Sequence, residues 1–263
     1  MMEREEVNKA RYLLQIAYDG TPFVGWQRQK NGLAIQQVIE EVLEKILGSK
    51  TSLHASGRTD TGVHATGQMA HFDAKQSVIT EKLQHALNAL LPREIRAVAL
   101  QEVPTTFHAR FDATRKIYHY HLTHGSIKNP LRRLYAAYTH HTLDIAAMRE
   151  ASLYLVGTHD FTSFASARGD GSDAGYDKTR TIYAINLIAS EGELRLEFEG
   201  SGFLYKMVRN ITGALLAVGK GKLTPHSIKT ILSAKDRRKA PPAAPACGLH
   251  LVKVFYPEEE KPC

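Results

Sequence analysis

Apolar residues in the first hundred positions alternate between the period of a β-strand and that of an α-helix. Four segments have the alternation or the β-branched and aromatic content of strands: 11–19, 51–55, 67–73 and 95–103. Two segments, 35–47 and 80–90, carry apolar residues at every third or fourth position and are predicted to be amphipathic helices. Gly48 ends the first helix, and Thr80 is the predicted N-cap of the second. The order β-α-β-β-α-β is that of a split βαβ, or ferredoxin-like, unit.

The second half of the chain repeats this order of elements without repeating the sequence. Strands are predicted at 116–123, 134–139, 181–189, 193–199 and 249–256, and the first two of these are expected to pair. Helices are predicted at 142–156, at 203–218 and from Thr224–Pro225 onward. Thr142 is the predicted N-cap of the first of these helices.

These elements predict an α+β fold with two ferredoxin-like halves, residues 1–112 and 113–257, and a short polar tail, 258–263. We expect the halves to join into one mainly antiparallel sheet with helices on one side and a central catalytic cleft. The stretch 167–177 is short, polar and rich in glycine, and it predicts a mobile surface loop.

Composition narrows the class of protein without naming a function. The chain has 263 residues, of which 43% are hydrophobic and 23% charged, and these proportions exclude a disordered, collagen-like or membrane-bundle chain. The polar N-terminus does not have the pattern of a leader. The two cysteines, Cys247 and Cys263, do not indicate a disulfide framework, so the cytoplasm is the expected compartment. The net charge of +7 fits a polyanionic partner such as nucleic acid, or simply a well-solvated surface; composition leaves the two about even.

The segment Gly57–His64 carries the most informative chemistry. Its two glycines permit left-handed turns, and they bracket Arg58 and Asp60. A neighbouring guanidinium keeps a carboxylate ionised and oriented, and such a carboxylate can act as a nucleophile or a base. A turn stapled by a local ion pair explains the same spacing, and the spacing alone favours that simpler interpretation. The segment matches neither a Walker A loop nor a dinucleotide-binding fingerprint.

In full, however, GRTDTGVHA resembles the catalytic loop of the tRNA pseudouridine synthase A family, which isomerises uridines of the tRNA anticodon stem-loop. Six more segments resemble motifs of that family in the same order: YDGTPFVGWQRQ (18–29), FHARFDATRKIYHY (107–120), HDFTSF (159–164), KTRTIY (178–183), GSGFLYKMVRNITG (200–213) and GLHLVKVFYP (248–257). The resemblance therefore covers nearly the whole chain.

The resemblance implies a role for each matching residue. Asp60 matches the essential aspartate, which attacks the ribose C1′ or assists cleavage of the glycosidic bond; which of these it does stays open. Arg58 matches a residue that holds this aspartate and fills the stack when the uridine flips out. Tyr118 matches the tyrosine that stacks on the uracil and helps to remove the C5 proton, although without the resemblance a core aromatic is the favoured interpretation. Arg209 matches the arginine that pairs with the nucleophilic aspartate.

Further expectations concern substrate contacts and partners. Leu249 or Leu251 is a candidate for the apolar floor under the uracil, and Arg180 is a candidate substrate contact. The resemblance implies no cofactor, a tRNA substrate modified at positions 38, 39 and 40, and a homodimer in the cytoplasm without a membrane. His119 and His121 share a strand face, but the sequence supplies no further ligand at suitable spacing, so a metal site is disfavoured.

Two alternatives to this enzyme remain open. A non-catalytic RNA-binding protein with two RNA-recognition-like halves would need an aromatic strand motif that the segment 201–205 does not match. A hydrolase of small phosphates would need metal-binding carboxylates near Asp60, and none lies within the Gly57–His64 segment. The basic run 236–239 is expected to be solvated or to contact phosphate, as are the weaker candidates Arg28, Lys30 and Arg168.

Overall fold

The computed structural model describes residues 9–167 and 175–257. Most of the predicted loop 167–177, and the tail 258–263, lie outside the described residues. The chain divides into two compact units: residues up to Ala113 together with those from Val252, and residues Thr114–Leu251. The sequence placed the whole of 113–257 in one half. The division differs because the last strand begins in the second unit and ends in the first.

The first unit contains a four-stranded arrangement with two helices. Its elements are β1 (Ala10–Tyr18), α1 (Ile35–Leu47), β2 (His54–Ala55), β3 (His64–Ala74), α2 (Thr80–Leu90) and β4 (Ile95–Val103). β1 pairs antiparallel with both β3 and β4, and β2 pairs antiparallel with β3. The spatial order β4-β1-β3-β2 is that of a split βαβ unit, so this prediction is confirmed.

The second unit repeats that order with additional short elements. It contains β5 (Arg115–His124), β6 (Ala137–Thr139), α3 (Ile145–Leu153), β7 (Gly157–Asp160), β8 (Thr179–Ser190), β9 (Glu193–Gly200), α4 (Met207–Gly219), α5 (Pro225–Ala234) and the start of β10 (Leu249–Phe255). Its strands lie in the order β10-β5-β9-β8-β7, and β6 pairs parallel with β5 as an addition. Within each unit the strand pairs are mostly antiparallel and are accompanied by helices, which confirms the predicted α+β class.

Helix α1 shows how directly the sequence determines some elements. Its apolar stripe is buried at Ile35, Val38, Ile39 and Leu43. Gly48 ends the helix in a left-handed conformation, with φ of 68°, and its N–H donates to the carbonyl of Glu44. A glycine adopts this conformation without the steric cost that a Cβ atom brings, so the predicted end of the helix is confirmed.

Strand β3 is longer than predicted. It begins at His64 rather than at residue 67, because Ala65 pairs with Tyr18 at the end of β1. β2 is shorter than predicted, since only His54 and Ala55 find partners on β3. In both cases the available neighbour, which local sequence does not reveal, sets the length of the strand.

Helix α4 begins four residues later than predicted. Phe203 has helical spacing with the stripe of α4, but its ring packs against Tyr118, with ring centroids 5.2 Å apart. Lys206, at φ 58°, adopts the left-handed conformation immediately before Met207 and ends any upstream continuation of the helix. From Met207 onward the helix is almost entirely buried.

Two predicted N-caps are wrong. Thr80 is the first residue of α2, and the capping position belongs to Ile79, which makes no side-chain bond. Thr142 lies before α3, whose N-cap is Asp144; the Asp144 carboxylate accepts the N–H of Ala147 at 2.9 Å. Thr224 does cap α5, with a reciprocal bond to Ser227.

None of the helices in the described ranges combines the length and the apolar content that a membrane span needs.

The two candidates for the α3 cap give a direct test. We expect Asp144→Ala to lower the free energy of unfolding by about 1 kcal/mol, because the N–H of Ala147 loses its acceptor. Thr142→Ala should change it by less than about 0.5 kcal/mol, since Thr142 is exposed and does not cap the helix. Urea unfolding followed by circular dichroism measures both. A larger effect for Thr142→Ala would contradict the assignment.

Candidate active site

Asp60 lies in the loop between β2 and β3, at the start of a closed turn. The N–H of Val63 donates to the carbonyl of Asp60 at 3.1 Å, and Gly62 adopts φ of 74° within that turn. Of the two bracketing glycines, Gly62 uses the left-handed region, whereas Gly57 has no positive φ. The Asp60 side chain is half-buried and that of Arg58 is exposed. The turn thus leaves the carboxylate partly accessible while fixing the backbone that carries it.

A second loop, residues 20–26, lies directly against this turn. The N–H of Trp26 donates to the carbonyl of Thr59 at 3.0 Å, and the hydroxyl of Thr61 donates to the carbonyl of Val24 at 2.9 Å. Gly25 adopts φ of 104°, and a Cβ atom there would lie 2.8 Å from the Thr59 carbonyl oxygen. The two backbones approach so closely that only glycine fits between them.

Buried polar side chains support the turn from below. Tyr18 and Thr59 share a hydrogen bond of 2.8 Å between their hydroxyl groups. The Gln68 amide donates to the carbonyl of Gly57 at 2.8 Å and to the Tyr18 hydroxyl at 3.3 Å, and it accepts the Ser56 hydroxyl at 2.9 Å. Every hydrogen-bonding group of this amide is therefore used, and such a network holds the loop in one arrangement.

Burial raises the pKa of Tyr18 to about 12, because desolvation disfavours the phenolate and outweighs the opposing hydrogen bonds from Thr59 and Gln68. The phenol therefore stays protonated over the physiological range. Since it already belongs to the supporting network, we assign Tyr18 a structural role beneath the loop.

Tyr118 lies on β5, on the face shared with Tyr120, as the alternation of the strand predicted. Tyr120 is fully buried and its hydroxyl donates to the carbonyl of Pro245 at 2.9 Å. Burial raises the pKa of Tyr120 above its ordinary value. Tyr118 keeps 8% of its surface exposed, and its ring and that of Phe203 form a T-shaped pair with an interplanar angle of 82°. Both tyrosines are therefore buried, so the burial of Tyr118 also fits the simpler interpretation of a core aromatic.

Arg209 occupies the first turn of α4. Its Nε–H donates to the carbonyl of Ala244 at 2.9 Å, and the N–H of Ala244 donates back to the carbonyl of Arg209 at 2.9 Å. This reciprocal pair ties the arginine to the loop that precedes β10. The residue is half-buried.

The remaining candidates lie in the second unit. Leu249 and Leu251 are buried on one face of β10, as the alternation predicted. Arg180 is on β8, where its guanidinium lies 5.3 Å above the ring of Tyr176 and donates to the Tyr176 hydroxyl at 3.0 Å. Asp60 and Arg58 thus lie in one loop of the first unit, whereas Tyr118 and Arg209 belong to the second.

Three supporting residues were missed by the sequence analysis. Phe203 was assigned to a helix, Gly25 was quoted only as part of a motif, and Gln68 gave no signal beyond a polar position on a strand. Histidines do not supply a metal site in the described ranges, where no group of three His, Cys, Asp or Glu side chains is arranged to hold an ion. The Nε2 atom of His119 lies 3.5 Å from Oε1 of Glu197, and burial lowers the pKa of His119.

Comparisons with known proteins show the family of this chain. A family model described as tRNA pseudouridine synthase matches residues 15–112 and 151–257. The protein named tRNA pseudouridine synthase A 1 of Protochlamydia amoebophila (strain UWE25) is 47% identical over 253 residues, which cover 96% of this chain and 98% of that one. The tRNA pseudouridine synthase A of Geobacillus kaustophilus (strain HTA426) is 47% identical over 245 residues, which cover 93% of each chain.

The chain belongs to the tRNA pseudouridine synthase family. The resemblance found in the sequence motifs is thereby confirmed. The class of enzyme is an isomerase acting on tRNA uridine.

The fit of Gly25 against the Asp60 loop gives a second test. We expect Gly25→Ala to lower the free energy of unfolding by about 2–3 kcal/mol, because it combines an unfavourable φ with contact against the Thr59 carbonyl. Gly48→Ala is the matched control, since Gly48 also has positive φ but nothing within 4 Å of a Cβ atom. It should cost about 1 kcal/mol. Equal losses in urea unfolding would show that the close approach is unimportant.

Proposed function

We propose that this protein converts uridine to pseudouridine at positions 38, 39 and 40 of the tRNA anticodon stem-loop, with Asp60 as the essential carboxylate. The observation that carries the proposal is the placement of Asp60 in a turn fixed by backbone bonds on both sides, within a chain that matches the family along nearly its whole length. A partly accessible carboxylate on a fixed backbone suits nucleophilic or acid–base chemistry at a sugar carbon.

The reaction is an internal rearrangement. The bond between C1′ and N1 breaks, the uracil turns, a bond between C1′ and C5 forms, and the C5 proton is lost while N1 gains one. No atom or electron is gained overall, so the balance of the reaction needs no cofactor. The uridine must leave the stack first, because the C1′–N1 bond is shielded inside a helical stem.

The other candidates divide the remaining work. Tyr118 stacks on the uracil and helps to remove the C5 proton, and its edge contact with Phe203 keeps the ring in one orientation. Arg58, being exposed, enters the space left in the stem by the flipped base. Arg209 supplies the cation for the reacting carboxylate, and the floor under the uracil comes from Leu249 or Leu251.

The partner of this site is a polyanion. The chain carries a net charge of +7, which favours association with the tRNA backbone. Arg180 is a candidate phosphate contact, because its guanidinium is stacked on Tyr176 and thereby pre-oriented. We further propose a homodimer acting in the cytoplasm, both on the family resemblance.

Replacing the carboxylate separates catalysis from RNA binding. We expect Asp60→Asn to reduce pseudouridine formation on an unmodified tRNA transcript by about 10³-fold or more, with tRNA affinity retained. Mass-spectrometric mapping and filter binding measure the two properties. Asp144→Asn is the matched control, because asparagine also caps a helix. Turnover by Asp60→Asn would refute the assignment, and an inactive wild-type protein that binds tRNA would favour a non-catalytic RNA-binding protein.

A second variant tests the phenol. Tyr118→Phe keeps the ring that packs on Phe203 but removes the oxygen proposed to take part in removal of the C5 proton. We expect turnover to fall by about 10²–10⁴-fold while tRNA affinity stays the same. Tyr183→Phe, at an exposed position on β8, is the control and should be fully active. Release of tritium from C5-labelled tRNA measures the rate, and normal release by Tyr118→Phe would contradict the role.

A further inference from the structure

The basic run 236–239 does not behave as one surface. Arg238 is 90% exposed in its side chain and pairs with Asp236, with 2.8 Å between Nη2 and Oδ2. Arg237 instead turns inward, where Nη2 donates to the side-chain oxygen of Asn210 at 2.9 Å and Nη1 donates to the carbonyl of Ala240 at 2.8 Å. Burial lowers the pKa of Arg237. A guanidinium held in this way is committed to partners within the protein.

Asn210, the partner of Arg237, is completely buried in the first turn of α4. Its amide group donates to the carbonyl of Phe164 at 2.7 Å and to the hydroxyl of Ser166 at 3.2 Å. Its side-chain oxygen accepts Arg237. The amide therefore joins α4 to the segment before residue 167, and removal of the guanidinium would leave a buried acceptor without this bond.

Arg209 is the neighbour of Asn210 along the chain. Both Arg209 and Arg237 bind the loop of residues 240–244. Arg237 binds Ala240, at the start of this loop, and Arg209 binds Ala244, four residues further on. Between these two points the loop lies tightly on α4, since a Cβ atom at Gly213 would be 2.1 Å from the carbonyl oxygen of Pro242. The helix turn and the loop that together fix Arg209 therefore share Arg237 as a common clamp.

We propose that Arg237 is a positioning residue, which aims the Arg209 guanidinium by clamping the start of the 240–244 loop to the first turn of α4. The inference rests on the proposed function, because the value of an aimed Arg209 lies in its catalytic role. A displacement of about 1 Å in a reacting constellation can cost about 10²-fold in rate. Two nitrogens of the planar guanidinium bond two separate acceptors at once, which explains why an arginine stands at this position.

The first experiment observes Arg209 directly and needs no activity. In ¹⁵N-labelled protein the Arg209 Nε–H signal, assigned by its loss in Arg209→Lys, should exchange slowly with water because it is bonded to Ala244. We expect this protection to fall at least about tenfold in Arg237→Gln and to be unchanged in Arg238→Gln. Unchanged protection in Arg237→Gln would overturn the proposal, whatever the wild-type protein does to tRNA.

The second experiment measures steady-state kinetics on a tRNA transcript. Arg237→Gln should lower kcat by about 10- to 100-fold with little change in KM, and Arg237→Lys should recover part of kcat because it restores the charge with poorer geometry. Arg238→Gln should leave kcat unchanged. A raised KM with normal kcat would show that Arg237 contacts phosphate, and a lower melting temperature with normal kcat would show a purely structural role. Either result would overturn the proposal.

If Arg237→Gln does not fold, Arg237→Lys carries both measurements. An inactive wild-type protein would refute the proposed function instead.

Discussion

The site depends on the close approach of two backbones in the first unit. The 20–26 loop and the Asp60 loop are joined by the bond from Trp26 to Thr59, and Gly25 leaves room for them to meet. Backbone bonds of this kind do not depend on side-chain rotamers, so the position of the Asp60 backbone is a property of the fold. Preorganisation of a reacting group lowers the cost of reaching the transition state.

The paired strands hold the Asp60 loop, and helix α1 holds the 20–26 loop. Tyr18 ends β1 and Gln68 lies on β3, so their hydrogen bonds to Thr59 and Gly57 fix the loop to the paired strands. On the other side, the 20–26 loop is held by the start of α1, where the N–H of Ile35 donates to the carbonyl of Gly25 at 3.1 Å. The N-terminal motif at residues 18–29 thus has a physical role, because it supports the Asp60 loop.

Periodicity determined those parts of the fold whose burial follows from local sequence. The stripe of α1 and the alternation in β5 and β9 needed no long-range information. The start of α4 was predicted too early, because Phe203 has helical spacing but packs on Tyr118 instead. The cap of α3 was misassigned, since Thr and Asp are both residue types favoured at N-caps and Asp144 lies only two residues after Thr142.

The candidate site also combines residues that local sequence reveals with residues that only distant contacts explain. The motif around Asp60 made its carboxylate a candidate, whereas Gln68 and Gly25 support the loop through partners that lie far away along the chain. Arg237 and Arg238 are adjacent in the sequence, which does not distinguish them. Their environments differ, because only Arg237 bonds to Asn210 and Ala240, whereas Arg238 pairs with Asp236.

Amide hydrogen exchange at Trp26 and Val63 tests the preorganised loop most directly. Both N–H groups donate to carbonyls of the Asp60 turn, so they should exchange as slowly as the buried amides of α1, such as that of Leu43. If these two amides exchange at least about a hundredfold faster than the amide of Leu43, the turn opens locally and independently of the fold. The claim that the fold fixes the Asp60 backbone would then be wrong.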